Sequence, residues 1–257
     1  MDETIAQDAQ EQIEKPKKKG NFLKKLIIFV AVIAIIVVGL GFALPGLLWT
    51  RNLGVSYSQA DYDSAVSKLK YIKDSAPTTG EESEYAYSYG APVDVNTSFT
   101  SAEITAFFNI NRPSYYAVKN VEVKINQDGS IEASGSVNVD YVLTEILGGK
   151  FTRSDIVKKI PALGILPSNV NIYLDFSGSV KDNIASISPS TVTVQGIPIP
   201  DNIVKSSDSI KALTDGLNSF IAKNNEKTGS TVNDISAKNG EIVIDGKFPT
   251  SLTRTKK

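Results

Sequence analysis

The sequence predicts an α+β body of long, curved antiparallel β-hairpins packed with amphipathic helices and preceded by one transmembrane helix. Three observations carry this expectation. Residues 26–44 are nineteen consecutive apolar or glycine positions. Three later stretches alternate apolar and polar residues on either side of a short turn, and the segments around them repeat apolar residues at three-and-four spacing.

The apolar run comes first. Fourteen of its nineteen residues are Leu, Ile, Val or Phe, and a helix of that length rises about 28 Å, the thickness of a bilayer core. At roughly −0.3 to −0.6 kcal/mol per residue, insertion sums to about −4 to −8 kcal/mol. Lys15, Lys17, Lys18, Lys19, Lys24 and Lys25 precede the run, whereas only Arg51 follows within twenty residues. This asymmetry keeps the N-terminus in the cytoplasm and places everything after the run outside. A signal peptide cleaved near Gly41-Phe42-Ala43 is the competing reading and exports the same residues. The expected organisation is a disordered cytoplasmic tail over 1–21, a membrane anchor over 22–48, a juxtamembrane helix and linker over 55–92, an exported domain over 93–250 and a solvated tail over 251–257. The N-terminal lysines read as a topology signal or as contacts to anionic lipid.

Composition narrows the chemistry. The chain has no histidine and no cysteine, which removes disulfides, Ser-His and Cys-His nucleophile activation and the usual zinc ligand sets. No Walker loop, calcium loop or G-x-S-x-G elbow occurs. No catalytic residue, metal ligand or cofactor is therefore expected, and the chain is not expected to be an enzyme. Beyond the anchor stand 21 basic and 23 acidic residues, a net charge of −2 with the signs interspersed, so nucleic acid is not an expected partner.

The exported elements follow in order. Ser58 to Lys73 reads as a helix capped by Ser58, with Tyr62, Ala65, Val66, Leu69 and Ile72 on one face and Asp61 and Asp63 solvated. Ser75 to Pro92 reads as a linker in which Tyr85, Tyr87 and Tyr89 alternate, as they would along one side of a short strand or in a surface loop. In FTSAEITAFFN, Thr100 and Glu103 form a capping box, and the helix ends by Asn111, ahead of Pro113. Val121, Val123 and Ile125 then alternate with polar residues, Asp128-Gly129 turns, and the alternation continues from Ile131 to Tyr141. Thr144 to Leu163 reads as helix interrupted at Gly148-Gly149. A second hairpin runs through Val170, Ile172, Leu174, Phe176 and Val180, alternating with polar residues apart from Tyr173, turns at Asp182-Asn183 and returns over 184–195. Ile197-Pro198-Ile199-Pro200 is expected to leave the sheet, since proline cannot donate to a ladder. A helix over Ser209 to Lys223 and a hairpin turning at Asn239-Gly240 close the chain. DGSIEASG from Asp128 and NGEIVIDG from Asn239 share one spacing, either as an internal repeat or because hairpins converge on such patterns.

The order of an N-terminal anchor, FTSAEITAFFN, the VEVKINQDGSIEASGSV hairpin, VTVQGIPIPDNIV and a closing NGEIVIDGKFP resembles the exported, membrane-anchored YpmS-like and LmeA-like proteins of bacteria. These are related at fold level to tubular lipid-binding (TULIP-like) domains. The resemblance covers roughly Val93 to Pro249 and implies a hydrophobic groove that binds or carries lipid near the membrane; it transfers no catalytic residue. Its candidate lining is Val121, Val123, Ile131, Val137, Val139, Ile172, Leu174 and Phe176. The alternation itself favours a closed core over an open groove. A chain of about fourteen methylenes would gain about 0.8 kcal/mol from each on burial, which makes an acyl or prenyl chain a fitting occupant. The expected partners are the membrane and a lipid or, on the alternative of a non-catalytic envelope scaffold, another envelope protein or a wall polymer.

Overall fold

The computed structural model describes residues 50–72, 84–113, 116–141 and 167–257. The expected cytoplasmic tail, the expected membrane span and the helix expected over 144–163 lie outside them. Among the described residues no helix is long and apolar enough to cross a membrane.

The fold is α+β, a curled antiparallel half-barrel that carries, among the described residues, three helices of more than two turns. Its spine is the hairpin of β5 (Asn169–Lys181) and β6 (Ile184–Val194), paired along one edge of β5. The other edge of β5 is shared. Its first eight residues pair with β4 (Ile131–Asn138), which pairs in turn with β3 (Val118–Ile125). Its last three pair with β8 (Thr231–Lys238), followed by β9 (Glu241–Pro249) and β2 (Pro92–Phe99). Two hairpins therefore meet tip to tip beside a longer one. Gly129 and Gly240, both at positive φ, sit in those tips, where a Cβ would lie 3.2 Å from the Ala237 carbonyl oxygen and 2.6 Å from the Gln127 side chain respectively. The two segments of shared spacing thus occupy facing turns.

The curl brings Val121, Val123 and Ile125 of β3 into one core with Ile242 of β9, and Ile104 and Phe108 pack against that core from helix α2 (Ser101–Asn109). The helix also closes the free edge of β3. Ile125 N–H donates to Ser101 Oγ at 2.9 Å, Val123 N–H to Thr105 Oγ1 at 3.0 Å and Val121 N–H to Asn109 Oδ1 at 3.0 Å. The Thr105 hydroxyl and Asn109 Nδ2 donate back to the carbonyls of Val123 and Val121. Positions four apart on a helix rise about 6 Å, close to the roughly 6.6 Å between alternate strand residues. One polar stripe therefore stands in for a missing strand, and the edge no longer offers open backbone groups.

Helix α1 (Gln59–Lys68) docks on α2 through Tyr62 and Val66 against Ala106 and Phe107, with the Tyr62 and Phe107 rings 6.4 Å apart. Glu103 joins the two helices. It accepts from the Thr100 N–H at 2.9 Å as the expected capping box requires, and also from Ser64 at 2.5 Å and Lys68 at 2.7 Å. Burial pushes its carboxyl up, but the bonds from Lys68, Ser64 and Thr100 outweigh that and hold it below the ordinary glutamate range.

Five expectations are corrected. Asp61 is not merely solvated, because it completes a capping box with Ser58. The linker expected through Pro92 gives way earlier to strands, β2 beginning at Pro92 itself, and of the two readings of the alternating tyrosines the short strand holds, as β1 (Tyr85–Tyr89). The expected tail over 251–257 is largely β10 (Leu252–Lys256), paired with β1. These two strands prolong the β2–β9 ribbon past a bend at Gly90, where a Cβ would come within 2.5 Å of Thr250 Oγ1. Ile197-Pro198 does not leave the sheet: it pairs with Val194 and Thr193 as β7 after a turn at Gln195-Gly196, and only then enters the short helix α4 (Asp201–Val204). Finally, β4 ends at Asn138, and Val139–Tyr141 form a single helical turn, α3. Its partner β5 begins opposite at Asn169, so continued alternation meets no ladder. The last long helix, α5 (Ser207–Thr228), outruns the expected bounds at both ends and stops at Gly229 in the left-handed conformation.

Thr105→Val should destabilise the fold by about 2–4 kcal/mol, since it strands both the buried N–H and the carbonyl of Val123, whereas Thr105→Ser should lose far less; denaturant unfolding decides. Because the Glu103 pKa is lowered on folding, its contribution is present above the ordinary glutamate value of about 4.3 and lost as pH falls through the lowered one. The Glu103→Gln protein should be about 1–3 kcal/mol less stable at neutral pH and show a shallower acid decline, read from unfolding at a series of pH values.

Candidate functional site

Residues paired in an antiparallel ladder point to the same face. Val123, Ala133, Leu174 and Val192 are in register across β3, β4, β5 and β6, as are Ile125, Ile131 and Phe176. Val137 pairs with Val170, and Ile172 with Gly135 and Val194. The expected lining residues other than Val139 thus share the inner face of the curl. Their surroundings differ. Val121 and Val123, 7% and 9% exposed, are closed over by Ile104 and Phe108, so the expectation that they line an open groove is corrected: they are core. Ile131 is part-buried at the margin of the same cluster. Val139 lies in the helical turn after β4, outside the ladder.

Val137, Ile172, Leu174 and Phe176 remain only part-buried. Helix α2 packs on β3, and α5 lies along β6, where Asn218 accepts the Ala185 N–H at 2.7 Å. Among the described elements the closest helix-to-strand approaches are those of α2 to β3 and of α5 to β6. Helix α5 is amphipathic, with Ile210, Leu213, Leu217, Phe220 and Ile221 on its apolar side, yet none of its residues is fully buried. The result is an apolar strip between two helices.

The outer face of the same strands is polar and organised by Tyr173, the residue that broke the alternation. Its hydroxyl donates to Glu132 at 2.9 Å, and Glu132 also accepts from Lys124 at 3.2 Å and Asn126 at 3.4 Å. Burial and the neighbouring Glu132 carboxylate push the Tyr173 phenol up to about 12. Burial raises Glu132 as well, but the bonds from Tyr173, Lys124 and Asn126 bring it below the ordinary range. Over this cluster runs the segment from Thr50 to Ser58. The Arg51 guanidinium lies 4.0 Å from the centre of the Tyr173 ring, and Leu53 N–H donates to Glu122 at 2.7 Å. Sequence reading singled out Tyr173 as an exception but not as an anchor point. A buried phenol on a polar face requires a partner, and that requirement was the available signal.

A second concavity, an open depression of about 610 Å³, lies between Tyr87–Pro92 and Lys227–Thr228. Among the described residues no cluster of three or more acidic side chains forms a metal site.

The neutral Tyr173 phenol stabilises the fold fully below the ordinary tyrosine value of about 10, and this is lost as pH rises through about 12. Tyr173→Phe should therefore remove a phenolate component with that late midpoint from an ultraviolet alkaline titration. Compared with protein families, curated proteins and solved structures, the chain finds no significant match in any of the three.

Proposed function

We propose that the chain is a membrane-anchored, extracytoplasmic lipid-binding or lipid-carrier protein of the cell envelope, with no catalytic role of its own. One observation carries the reading: Val137, Ile172, Leu174 and Phe176 share the inner face of a curled sheet and stay part-exposed between α2 and α5. Apolar side chains on an inner face are ordinarily fully buried, and a part-exposed apolar strip is a candidate binding surface. A hydrocarbon tail matches it in shape and chemistry, since it needs apolar contact and no hydrogen bond. The nineteen-residue apolar run would keep such a strip beside a source of lipid. The resemblance to YpmS-like and LmeA-like proteins points the same way. The second reading, an envelope scaffold, draws on the open depression beside Tyr87 and Tyr89, where Tyr89 is 38% exposed.

The two part on one experiment. Protein purified from cells and extracted with solvent should yield about one lipid per chain by mass spectrometry, and Leu174→Gln combined with Ile172→Asn should lower that several-fold while the circular dichroism spectrum is retained. A stable protein that carries no lipid would remove this reading and leave the scaffold.

A further inference from the structure

Most edges of the described sheet are blocked, each by a different device. The polar stripe of α2 takes the edge of β3. On β2, the carbonyls of Ser98 and Asp94 accept from Lys68 at 2.9 Å and Lys70 at 2.8 Å. Along β6, Asn218 accepts the Ala185 N–H, the Ile199 N–H donates to the Val192 carbonyl, and Pro189 has no N–H to offer. The Leu252 N–H of β10 donates to the Tyr71 hydroxyl at 3.1 Å. β1 is built differently: Tyr-Ala-Tyr-Ser-Tyr carries neither charge nor proline, a composition that favours pairing. The open depression of about 610 Å³ lies against it. Six consecutive residues, Tyr87 to Pro92, line that depression, whereas a strand face presents only alternate ones, so the concavity follows the strand's edge. Its far wall is Lys227-Thr228 at the end of α5. On the other side of β1, the Lys257 N–H donates to the Glu84 carbonyl and the Gly90 N–H to that of Ser251. Bonded and non-bonded residues alternate in an antiparallel pair, so the backbone groups of Tyr85, Tyr87 and Tyr89 are directed away from β10, to the side of the depression.

We infer that two copies of the chain join along this edge, β1 against β1, antiparallel about a two-fold axis at Tyr87. That register sets outward-directed residues against one another: Tyr87 faces itself, and Tyr85 faces Tyr89 of the second copy, aromatic pairs that favour a ladder. It also brings Glu84 opposite Gly90 of the second copy, which lines the depression together with Lys227. Glu84 is exposed, 3.6 Å from Lys256 of its own chain, and Lys227 is exposed at the end of α5. An uncharged strand with a carboxylate at one end and an ammonium at the other is complementary to its own copy, and the two-fold axis repeats the ion pair. A second copy therefore fits the edge in both backbone and charge. The inference stands whether or not the inner strip holds lipid.

Full-length protein in a non-ionic detergent should be a dimer by sedimentation equilibrium. Glu84→Lys or Lys227→Glu alone should raise the dimer dissociation constant several-fold, and the two together should return it toward the wild-type value, a rescue that local loss of folding would not give. The chain contains no cysteine, so a single introduced thiol reports the register. In the Tyr87→Cys protein the two thiols sit on facing residues whose Cα atoms are about 5.5 Å apart, inside the roughly 4.4–6.8 Å that a disulfide spans, and copper phenanthroline should link the two chains. The Ser88→Cys protein, whose thiol points to the opposite face and lies opposite Ala86 of the second copy, should stay unlinked. A wild-type chain that is monomeric at every concentration, a dimer indifferent to both charge reversals, or equal linking at 87 and 88 would each overturn the inference.

Discussion

The half-barrel depends on how the edge of β3 is closed. An edge strand exposes alternate N–H and carbonyl groups, and an open edge invites pairing with another chain. Here Ser101, Thr105 and Asn109 meet Ile125, Val123 and Val121 one for one. The same helix turns Ile104 and Phe108 onto the apolar face of β3 and across to Ile242. Hydrogen bonds set the helix against the strand and apolar contacts hold the two ends of the curl together, so α2 both finishes the sheet and shapes it.

That closure explains why the inner face is divided. α2 is only nine residues long, about 13 Å, and covers β3 and the β8–β9 tip without reaching the middle of β5. On the other side α5 is held along β6 by Asn218, and by Asn225 to Asn183 at the β5–β6 turn. Among the described elements the middle strands lie between the two, and their apolar residues stay part-exposed. The forked spine adds to this: β4 and β8 leave β5 unpaired on one edge between Phe176 and Ser179.

The outer face is built on the opposite principle. Tyr173, Glu132 and Lys124 satisfy one another, and the cluster serves as the seat for Arg51. With Glu103 binding α1 to α2, two polar centres hold the N-terminal strap and helix to the body. The stretch that reads in the sequence as juxtamembrane is thus part of the folded unit.

Much of this was legible from local pattern. The three hairpins follow from alternation with period two and from turns at Gly129, Asp182-Asn183 and Asn239-Gly240 that need positive φ; α1 and α2 follow from their caps. The exceptions share a cause. Val139 continues the alternation but has no partner strand, whereas Pro198 and Leu252–Lys256 have one that no local signal announces. Nor does alternation separate Val123 from Leu174, which are in register on the same face. By itself the sequence determined the three long hairpins and helices α1, α2 and α5 in their order, because helix and strand periods are properties of a few neighbouring residues. Only the tertiary structure decided which strands pair and which valines α2 covers, because those outcomes depend on residues far apart in the chain.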